Sequence, residues 1–362
     1  MRHSIVPEWS YIRYNPILGY IIARERTIMP IDKRVIELVD KGLAGQGLEE
    51  SEIAELLRVN PYTAEGSHVR WGGWMLSRKA SDGIAEVHAQ IGMDASACPL
   101  NCEFCSFAAC NGLRPPKLEM PKDEVVEFAK AYDEAGVNLM CLMVTANYDF
   151  DQFCEMGAAV REVINPEMPL MANIDDFSYE QALKLKESGF DAVYHVIHMG
   201  EGEITNIKPE TRVQTIRNAQ KAGLTVSSCV EPIGAEHTPE EIAHRIKQLM
   251  NLDPLSSGAG LRVAVPGTRF EADPPKGKID WCFISGVFRL AVGLKPRLCG
   301  NTYLAADSGS NYGWAEVGTN PRDAAERTGQ TAGIGHGVKE SKYGFMSVGW
   351  KMLEGPSQGW RL

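Results

Sequence analysis

The feature that most constrains this chain is a cluster of three cysteines within one short stretch, Cys98-Pro99-Leu100-Asn101-Cys102-Glu103-Phe104-Cys105. Three thiolates in one loop can bind three irons of a cubane iron–sulfur cluster. The fourth iron then remains open to a ligand that is not protein. The run therefore predicts a cluster that takes part in catalysis. A cluster with four cysteine ligands would instead serve only to carry electrons.

Three alternatives compete with an open catalytic cluster in this loop. A zinc site usually needs a fourth Cys or His, and Cys110 could supply it, although its spacing is unusual. An electron-transfer ferredoxin site also needs a fourth Cys and usually lies in a small domain. Chance clustering of three cysteines within eight residues is rare. The open catalytic cluster is the favoured interpretation.

Composition limits the classes of protein that remain. The chain has 362 residues, enough for one α/β barrel or two to three smaller domains. Its net charge of -10, without a basic block, argues against nucleic acid as the main partner. No apolar run is long enough for a membrane span, and the N-terminus lacks a signal-peptide core, so a cytoplasmic location is expected. Nine cysteines in a reducing compartment do not predict a disulfide framework.

The order of elements predicts three regions. Residues 1–80 read as a helical extension, with helices at 31–41 and 51–57 and breaks at Asn60-Pro61 and Gly72-Gly73. Residues 81–330 alternate strands and helices, and residues 331–362 form a Gly-rich tail that covers or wraps the barrel. Strands are expected at 84–93, 137–144, 170–174, 191–197, 224–230 and 260–265, with weaker candidates at 297–304 and 311–317. Helices are expected at 121–135, 151–164, 178–188, 210–222, 239–251 and 279–292, with a short last helix opening at Asn320.

About eight such units of strand and helix predict a parallel (β/α)8 TIM-type barrel. An open doubly wound sheet is the alternative, but no glycine-rich phosphate fingerprint follows the first strand. Barrel enzymes place their chemistry at the carboxyl ends of the strands. The cysteine loop directly follows the first predicted strand, where such a site would lie.

The cysteine loop, from Ala97-Cys98-Pro99 onward, resembles the cluster loop of the biotin synthase-like branch of radical S-adenosylmethionine (SAM) enzymes. That branch includes biotin synthase, methylornithine synthase and the hydrogenase maturase HydE. The resemblance covers roughly residues 80–330. It extends to the helix Arg212-Val213-Gln214-Thr215-Ile216-Arg217, the turn Ile233-Gly234-Ala235-Glu236, and the stretch Ser308-Gly309-Ser310-Asn311-Tyr312-Gly313 with Thr319-Asn320-Pro321.

The resemblance implies a [4Fe-4S] cluster on Cys98, Cys102 and Cys105, SAM bound at the open iron, and an external low-potential electron donor of the ferredoxin or flavodoxin type. It assigns Arg212 to the SAM carboxylate. The other implied SAM contacts are Phe104, Thr145, Ala146, His195 and Ile233. The alternative for Arg212 is a solvated helix residue, and for Phe104 an ordinary core aromatic.

Several positions depart from the family pattern. The second strand ends in Thr145-Ala146-Asn147-Tyr148 where many radical SAM enzymes have a Gly-Gly-Glu-like motif. Val196 and His198 stand where biotin synthase has an Asn and an Asp that bind ribose and substrate. Ribose binding by these two positions is therefore in doubt, and dethiobiotin is not the expected substrate.

Biotin synthase holds a second, [2Fe-2S] cluster with three Cys and one Arg, and only two of these ligands recur. Cys141 and Arg297 match, whereas the other positions fall on Ala172 or Asn173 and on Ser227. Cys229 and Cys299 each lie two residues from such a position and could face the barrel interior. An auxiliary cluster of altered ligation is one hypothesis. Packing of these cysteines in the core is the other.

Further polar residues at predicted strand ends are candidates for substrate binding. Asp175, Asp176 and Glu231 suit a cationic or amine-bearing substrate, or else cap the following helices. Asp307, Asn311 and Arg262 are candidate contacts for substrate carboxylates.

Three functions remain open. The first is a radical SAM enzyme that abstracts hydrogen from a small biosynthetic intermediate and then rearranges, cleaves or joins carbon bonds. The second is sulfur insertion with an auxiliary cluster. The third is a non-enzymatic iron–sulfur or zinc scaffold.

Overall fold

Eight parallel strands form the centre of the protein, in a computed structural model that describes residues 30–319, 327–328 and 337–361. The strands are β1 (Ile84–Gly92), β2 (Leu139–Met143), β3 (Leu170–Asn173), β4 (Ala192–Tyr194), β5 (Thr225–Ile233), β6 (Ser256–Leu261), β7 (Leu298–Cys299) and β8 (Tyr312–Thr319). They pair in the order β7-β6-β5-β4-β3-β2-β1-β8. The fold is the expected (β/α)8 TIM-type barrel.

The barrel closes between β7 and β8 through Asn311, the residue before β8. Its backbone nitrogen donates to the carbonyl of Cys299 at 2.8 Å, and its side-chain oxygen accepts from the nitrogen of Cys299 at 2.7 Å. Asn311 alone therefore supplies both of these hydrogen bonds between the short β7 and the segment that leads into β8. Asn311 has this structural role and is not among the residues that line the cavity at the cysteine loop.

Helices surround the strands as the periodicity predicts. They are α4 (Lys122–Glu134), α5 (Phe150–Arg161), α6 (Tyr179–Glu187), α7 (Pro209–Lys221), α8 (Pro239–Met250) and α9 (Lys278–Val292), and α10 (Val338–Ser347) follows the barrel. Two of them begin with a capping box: the hydroxyls of Ser178 and Thr238 accept from the nitrogens of Gln181 and Glu241. None of the described helices is long and apolar enough to cross a membrane.

Successive residues of each barrel strand point alternately inward and outward. The inward side chains fill the barrel interior, and the outward ones pack against the surrounding helices. Val87, Ala89 and Ile91 of β1 face outward and pack in the core between barrel and helices. Glu86 and His88 take the inward positions and are completely buried. The barrel interior therefore contains charged groups as well as apolar ones.

Between residue 30 and the barrel lie three helices, α1 (Lys33–Leu43), α2 (Glu50–Leu57) and α3 (Ala64–Ala80). The sequence predicted the first two but treated Gly72-Gly73 as a break, and that interpretation is wrong. Both glycines lie inside α3, where a Cβ atom on Gly73 would approach the Cα of Gly286 in α9 to 2.5 Å. Glycine at these positions allows two helices to cross at close distance and does not mark a turn of the chain.

The C-terminal segment runs under the amino-terminal end of the barrel. A short strand β10 (Lys351–Met352) pairs with the start of β1. Beyond it the indole of Trp360, 1% exposed, packs with Leu139, Met171 and other inward residues. This end is opposite to the end that carries the cysteine loop. The division into three regions stays a prediction.

Two strand predictions were displaced. The sequence placed a strand at 260–265, whereas β6 begins four residues earlier, and the region 297–304 forms only the two-residue β7 and a short 3-10 helix at Tyr303–Ala305. Small residues dominate β6, Ser256-Ser257-Gly258-Ala259-Gly260, so it lacked the branched residues that mark strands. A short strand β9 (Arg327–Thr328) pairs antiparallel with β8. The helix expected from Asn320 lies outside the described residues.

Candidate functional site

The cysteine loop lies over the carboxyl ends of the strands and is fastened by backbone contacts. The nitrogen of Cys98 donates to the carbonyl of Phe107 at 2.6 Å, and the nitrogen of Cys105 to the carbonyl of Cys102 at 2.8 Å. The side chain of Asn111 donates to the carbonyl of Cys105 at 2.9 Å. These bonds hold the loop in place.

One cavity unites the loop with most of the residues expected to bind SAM. Its lining includes the three cysteines Cys98, Cys102 and Cys105 together with Phe104, Thr145, Ala146, His195 and Arg212. These residues come from β1 to β4 and the helix α7, which are far apart in sequence. Ile233 is not among the lining residues. Its carbonyl accepts from the nitrogen of Arg262 at 2.8 Å, and its side chain packs in a core cluster beside the helices.

The donor set suits an iron–sulfur cluster. Burial raises the pKa of the Cys98 thiol and raises that of Cys102 well above its ordinary value. A buried thiolate therefore needs positive charge at the sulfur, which iron supplies. Within the described ranges, no three His, Cys, Asp or Glu side chains converge on a single ion position. In a cubane cluster each thiolate binds a different iron, so three cysteines in one loop need not converge on a single ion position to hold it.

Arg212 is a buried cation in the lining of this cavity. It is 6% exposed, although it lies on the helix α7, and its Nη1 lies 3.3 Å from Asp176 and 3.6 Å from Asp175. Two buried atoms here make no hydrogen bond in the described structure: Nε of Arg212 and Oδ1 of Asp175. Nε of Arg212 lies 3.9 Å from the carboxylate of Glu201, beyond hydrogen-bond distance, so this donor and the Asp175 acceptor both keep hydrogen-bonding capacity.

The groups around Arg212 have shifted pKa values. Burial raises the pKa of Asp175. Burial opposes ionisation of Asp176 as well, but the hydrogen bond from His195 and the charge of Arg212 together lower its pKa. Burial lowers the pKa of His195, whose Nε2 lies 2.9 Å from Asp176. This end of the cavity therefore combines a permanent cation with an ionised carboxylate.

The loop after β2 is held against β1 by a buried acid that the sequence interpretation did not single out. Asp94 accepts hydrogen bonds from both the nitrogen and the hydroxyl of Thr145. Ala146 follows, and its backbone hydrogen-bonds the thiol of Cys98. The hydroxyl of Thr145 is thus occupied with positioning its own loop. A buried acid directly after the first strand was the only sequence signal for this role.

Phe104 and His198 meet across the cavity, with ring centroids 5.5 Å apart. Phe104 is 3% exposed. The ring of His198 is held by Glu201, whose carboxylate lies 3.0 Å from Nδ1 and also accepts from the nitrogen of His198. The two positions that departed from the family pattern, Val196 and His198, both line the cavity.

The barrel interior below the cavity does not fit a second cluster ligated as in biotin synthase. Arg297 is bound by the buried carboxylate of Glu86, which also pairs with His88 at 3.0 Å. Cys141 faces inward but is packed among apolar side chains that include Tyr312 and Trp360. Burial raises the pKa of the Cys141 thiol far above its ordinary range. Ser227 bonds the hydroxyl of Ser256 at 2.7 Å.

Of the two further cysteines, one faces inward and one does not. The residue after Cys229, Val230, packs between barrel and helices, so strand alternation directs Cys229 inward. For Cys299 the structure favours the second of the two alternatives, packing in the core: Leu298 takes the inward position, and Cys299 packs between barrel and helices with Val230 and Phe288. Counting two residues from Arg297 would place Cys299 on the same side of the sheet as Arg297. Arg297 lies before the two-residue β7, however, so the strand alternation does not include it.

Several polar candidates are brought to the cavity and others are not. Asp175 and Glu231 line it. Asp307 lies away from it beside Cys282, at 3.3 Å. Arg262 is held by Glu236 and Asp273 at 2.6 to 2.8 Å.

Comparisons with known proteins agree with this geometry. Residues 95–249 match the radical SAM superfamily. Biotin synthases of Desulforudis audaxviator and Anaplasma marginale are each 28% identical over 60% and 57% of this chain, which corresponds to 69% and 65% of their own lengths. The matched segments thus span about two thirds of these relatives.

Solved structures show the same fold. Methylornithine synthase (PylB) superposes with a TM-score of 0.74 at 18% identity, over 88% of this chain and 97% of that one. The [FeFe]-hydrogenase maturase HydG of Carboxydothermus hydrogenoformans has a TM-score of 0.69 at 15% identity, over 93% and 82%. The segment 95–249 of this chain is thus similar to the radical SAM superfamily. The domain match and the biotin synthase relatives support an enzyme of the radical SAM type, and this similarity implies a [4Fe-4S] cluster and SAM as cofactors.

Proposed function

We propose that Cys98, Cys102 and Cys105 hold the [4Fe-4S] cluster and that the adjoining cavity binds SAM and a small biosynthetic intermediate, amino-acid-like or a cofactor precursor. With the cluster and SAM bound, the site would supply one-electron cleavage of SAM to methionine and a 5′-deoxyadenosyl radical, which would abstract a hydrogen atom from the substrate. Rearrangement, cleavage or joining of carbon bonds follows. An external low-potential donor of the ferredoxin or flavodoxin type delivers the electron.

The observation that carries this proposal is a pair of buried polar atoms without hydrogen bonds, on residues that line the same cavity as the three thiols. Nε of Arg212 is a donor and Oδ1 of Asp175 an acceptor, both buried and without a hydrogen bond in the described structure. SAM carries a carboxylate and an amino group on one carbon, so it can satisfy both atoms. Phe104 and His198 provide apolar ring surface in the same cavity.

The residues of the chain have three tasks in this scheme. Arg212 orients the carboxylate of SAM, because a guanidinium binds a carboxylate with directed, charge-assisted hydrogen bonds. Asp94 fixes the loop of Thr145 and Ala146 against the first strand. The largely buried lining limits the access of water to a reactive intermediate.

Anaerobic reconstitution with iron and sulfide tests the proposal. We expect about four irons per chain and SAM cleavage to 5′-deoxyadenosine under a low-potential reductant. Cys98→Ala should abolish both. Cys110→Ala is the matched control, because Cys110 is exposed and is not among the lining residues of the cavity. Equal loss of metal in both variants would instead support a site with four cysteine ligands.

Sulfur insertion is the second candidate, favoured by the similarity to biotin synthases and by the inward position of Cys141 and Cys229. The pairing of Arg297 with Glu86 and the outward position of Cys299 argue against it. We infer that one cluster suffices. Six or more irons per chain in the wild type, with the excess lost in Cys141→Ala, would support sulfur insertion.

A further inference from the structure

We propose that the substrate carries an amino group and that Glu231, Tyr194 and Asn301 form the subsite that recognises it. This inference rests on the proposed function, because the subsite belongs to the substrate end of the same cavity. It names a chemical class for the substrate, which the similarity to radical SAM enzymes leaves open.

Glu231 is the centre of the subsite. It lies near the carboxyl end of β5, is 3% exposed and lines the cavity of the three cysteines. The phenol of Tyr194, the last residue of β4, donates to Oε1 of Glu231 at 2.7 Å. The backbone carbonyl of Glu231 accepts from the nitrogen of Met199 at 2.9 Å. The carboxylate is thus held in one orientation from the β4 side.

The neighbouring strand leaves room for the other oxygen of this carboxylate. A Cβ atom on Gly260 in β6 would lie 2.9 Å from Oε2 of Glu231, closer than such contacts occur. Glycine at this position therefore keeps space beside Oε2. The same Cβ position lies 3.5 Å from the amide nitrogen of Asn301, which follows β7. Glu231 and Asn301 are therefore neighbours across Gly260.

Asn301 contributes an open acceptor. Its Oδ1 is buried and makes no hydrogen bond in the described structure. The amide nitrogen is the atom of Asn301 that lies toward Gly260. A small cavity lined by Asn301, Glu231 and Phe104 adjoins the cysteine loop. Glu231 and Phe104 also line the main cavity, so the two spaces meet there.

The charges at this end favour a cation over an anion. Arg262 lines the small cavity, but its guanidinium donates to Glu236 and Asp273 at 2.6 to 2.8 Å. The carboxylate of Glu231 and Oδ1 of Asn301 are both acceptors. A protonated amine supplies three donors and a positive charge. A carboxylate or phosphate group would instead meet acceptors and like charge.

The subsite is distinct from the residues proposed to hold the amino acid end of SAM. Arg212 and Asp175 come from α7 and the loop after β3, whereas Glu231 and Asn301 come from β5 and the loop after β7. Substrate and SAM therefore bind from different sides of one cavity.

Isothermal titration calorimetry on the cluster-reconstituted full chain tests this inference, with SAM present and without reductant. The probes are 1,4-diaminobutane and L-ornithine, with succinate as the anionic counterpart. We expect the amines to bind and succinate not to bind. Glu231→Gln should weaken amine binding roughly tenfold to a hundredfold, the range typical for losing a hydrogen bond to a charged group. Asn301→Ala should weaken it several-fold.

A surface pair provides matched controls. The phenol of Tyr62 donates to Oδ2 of Asp280 at 2.9 Å, and Tyr62 is exposed. Asp280→Asn, the control for Glu231→Gln, should leave amine binding unchanged. If Glu231→Gln does not fold, Tyr194→Phe replaces it, with Tyr62→Phe as its control, and a several-fold loss of amine affinity confined to Tyr194→Phe is expected.

The outcomes separate the two proposals. If the wild type cleaves SAM but binds neither amine, binds succinate equally well, or keeps its amine affinity in Glu231→Gln, the amine subsite is refuted. If the wild type never yields 5′-deoxyadenosine from SAM under reductant, the proposed function fails, whatever the amines do.

Discussion

Replacement of Trp360 by alanine should destabilise the barrel from the end opposite the cysteine loop. The indole is 1% exposed, packs with Leu139 and Met171, and donates from Nε1 to Ser357 at 2.9 Å. Burial of a tryptophan removes roughly 200 Å² from water. At about 25 cal/mol per Å² this corresponds to about 5 kcal/mol. Measured Trp→Ala changes in cores cost about 3–5 kcal/mol, so we expect a loss in that range.

The assay is urea unfolding followed by circular dichroism, with Trp71→Ala as control. Trp71 is 44% exposed on α3, so its replacement should cost less than about 1 kcal/mol. Iron content after reconstitution should be unchanged in folded Trp360→Ala, because the cysteine loop lies at the other end. Equal losses of stability in the two variants would refute the view that Trp360 fills the barrel.

Three further predictions concern the cavity and its surroundings. Arg212→Lys should weaken SAM binding about tenfold, measured by calorimetry on the reconstituted chain, because lysine cannot donate two parallel hydrogen bonds to a carboxylate. Gly260→Ala should displace Glu231 and lower the unfolding free energy by about 1–3 kcal/mol through overpacking, measured in urea. The hydrogen bonds from Arg262 hold the pKa of Glu236 at about 2, below its unfolded value, so their contribution is present above pH 4.5 and disappears as the pH falls toward 2. Because Glu236 is 45% exposed, we expect only about 1 kcal/mol between wild type and Glu236→Gln at neutral pH, and this difference should vanish near pH 2.

The alternation of strands and helices could be predicted from the sequence because it depends on local patterns of apolar residues. Apolar runs between helical segments predicted the strands from β1 to β5 within a few residues. β6 was displaced because Ser and Gly replace branched residues where β6 passes close to β7. A Cβ atom on Gly258 would lie 2.5 Å from the carbonyl oxygen of Gly300. Packing against a neighbouring strand, not intrinsic propensity, selected these residues.

The candidate site likewise has residues that the sequence predicted and residues that only the structure brings together. Cys98, Cys102 and Cys105 lie in one loop, so their spacing alone predicted a shared ligand. Asn301 was missed because nothing near it in sequence distinguishes it. It becomes notable only because β6 and β7 bring it beside Glu231.

By itself, the sequence determined the cysteine loop, its place after the first strand and the resemblance to radical SAM enzymes, since the loop and its motif depend on residues close together in the chain. Only the tertiary structure decided which distant side chains share the cavity, and that Arg297 is bound to Glu86. Inward or outward direction depends on strand register and on where a short strand begins, and one residue of displacement reverses it. The cysteine loop was therefore predictable, and the substrate end of the cavity was not.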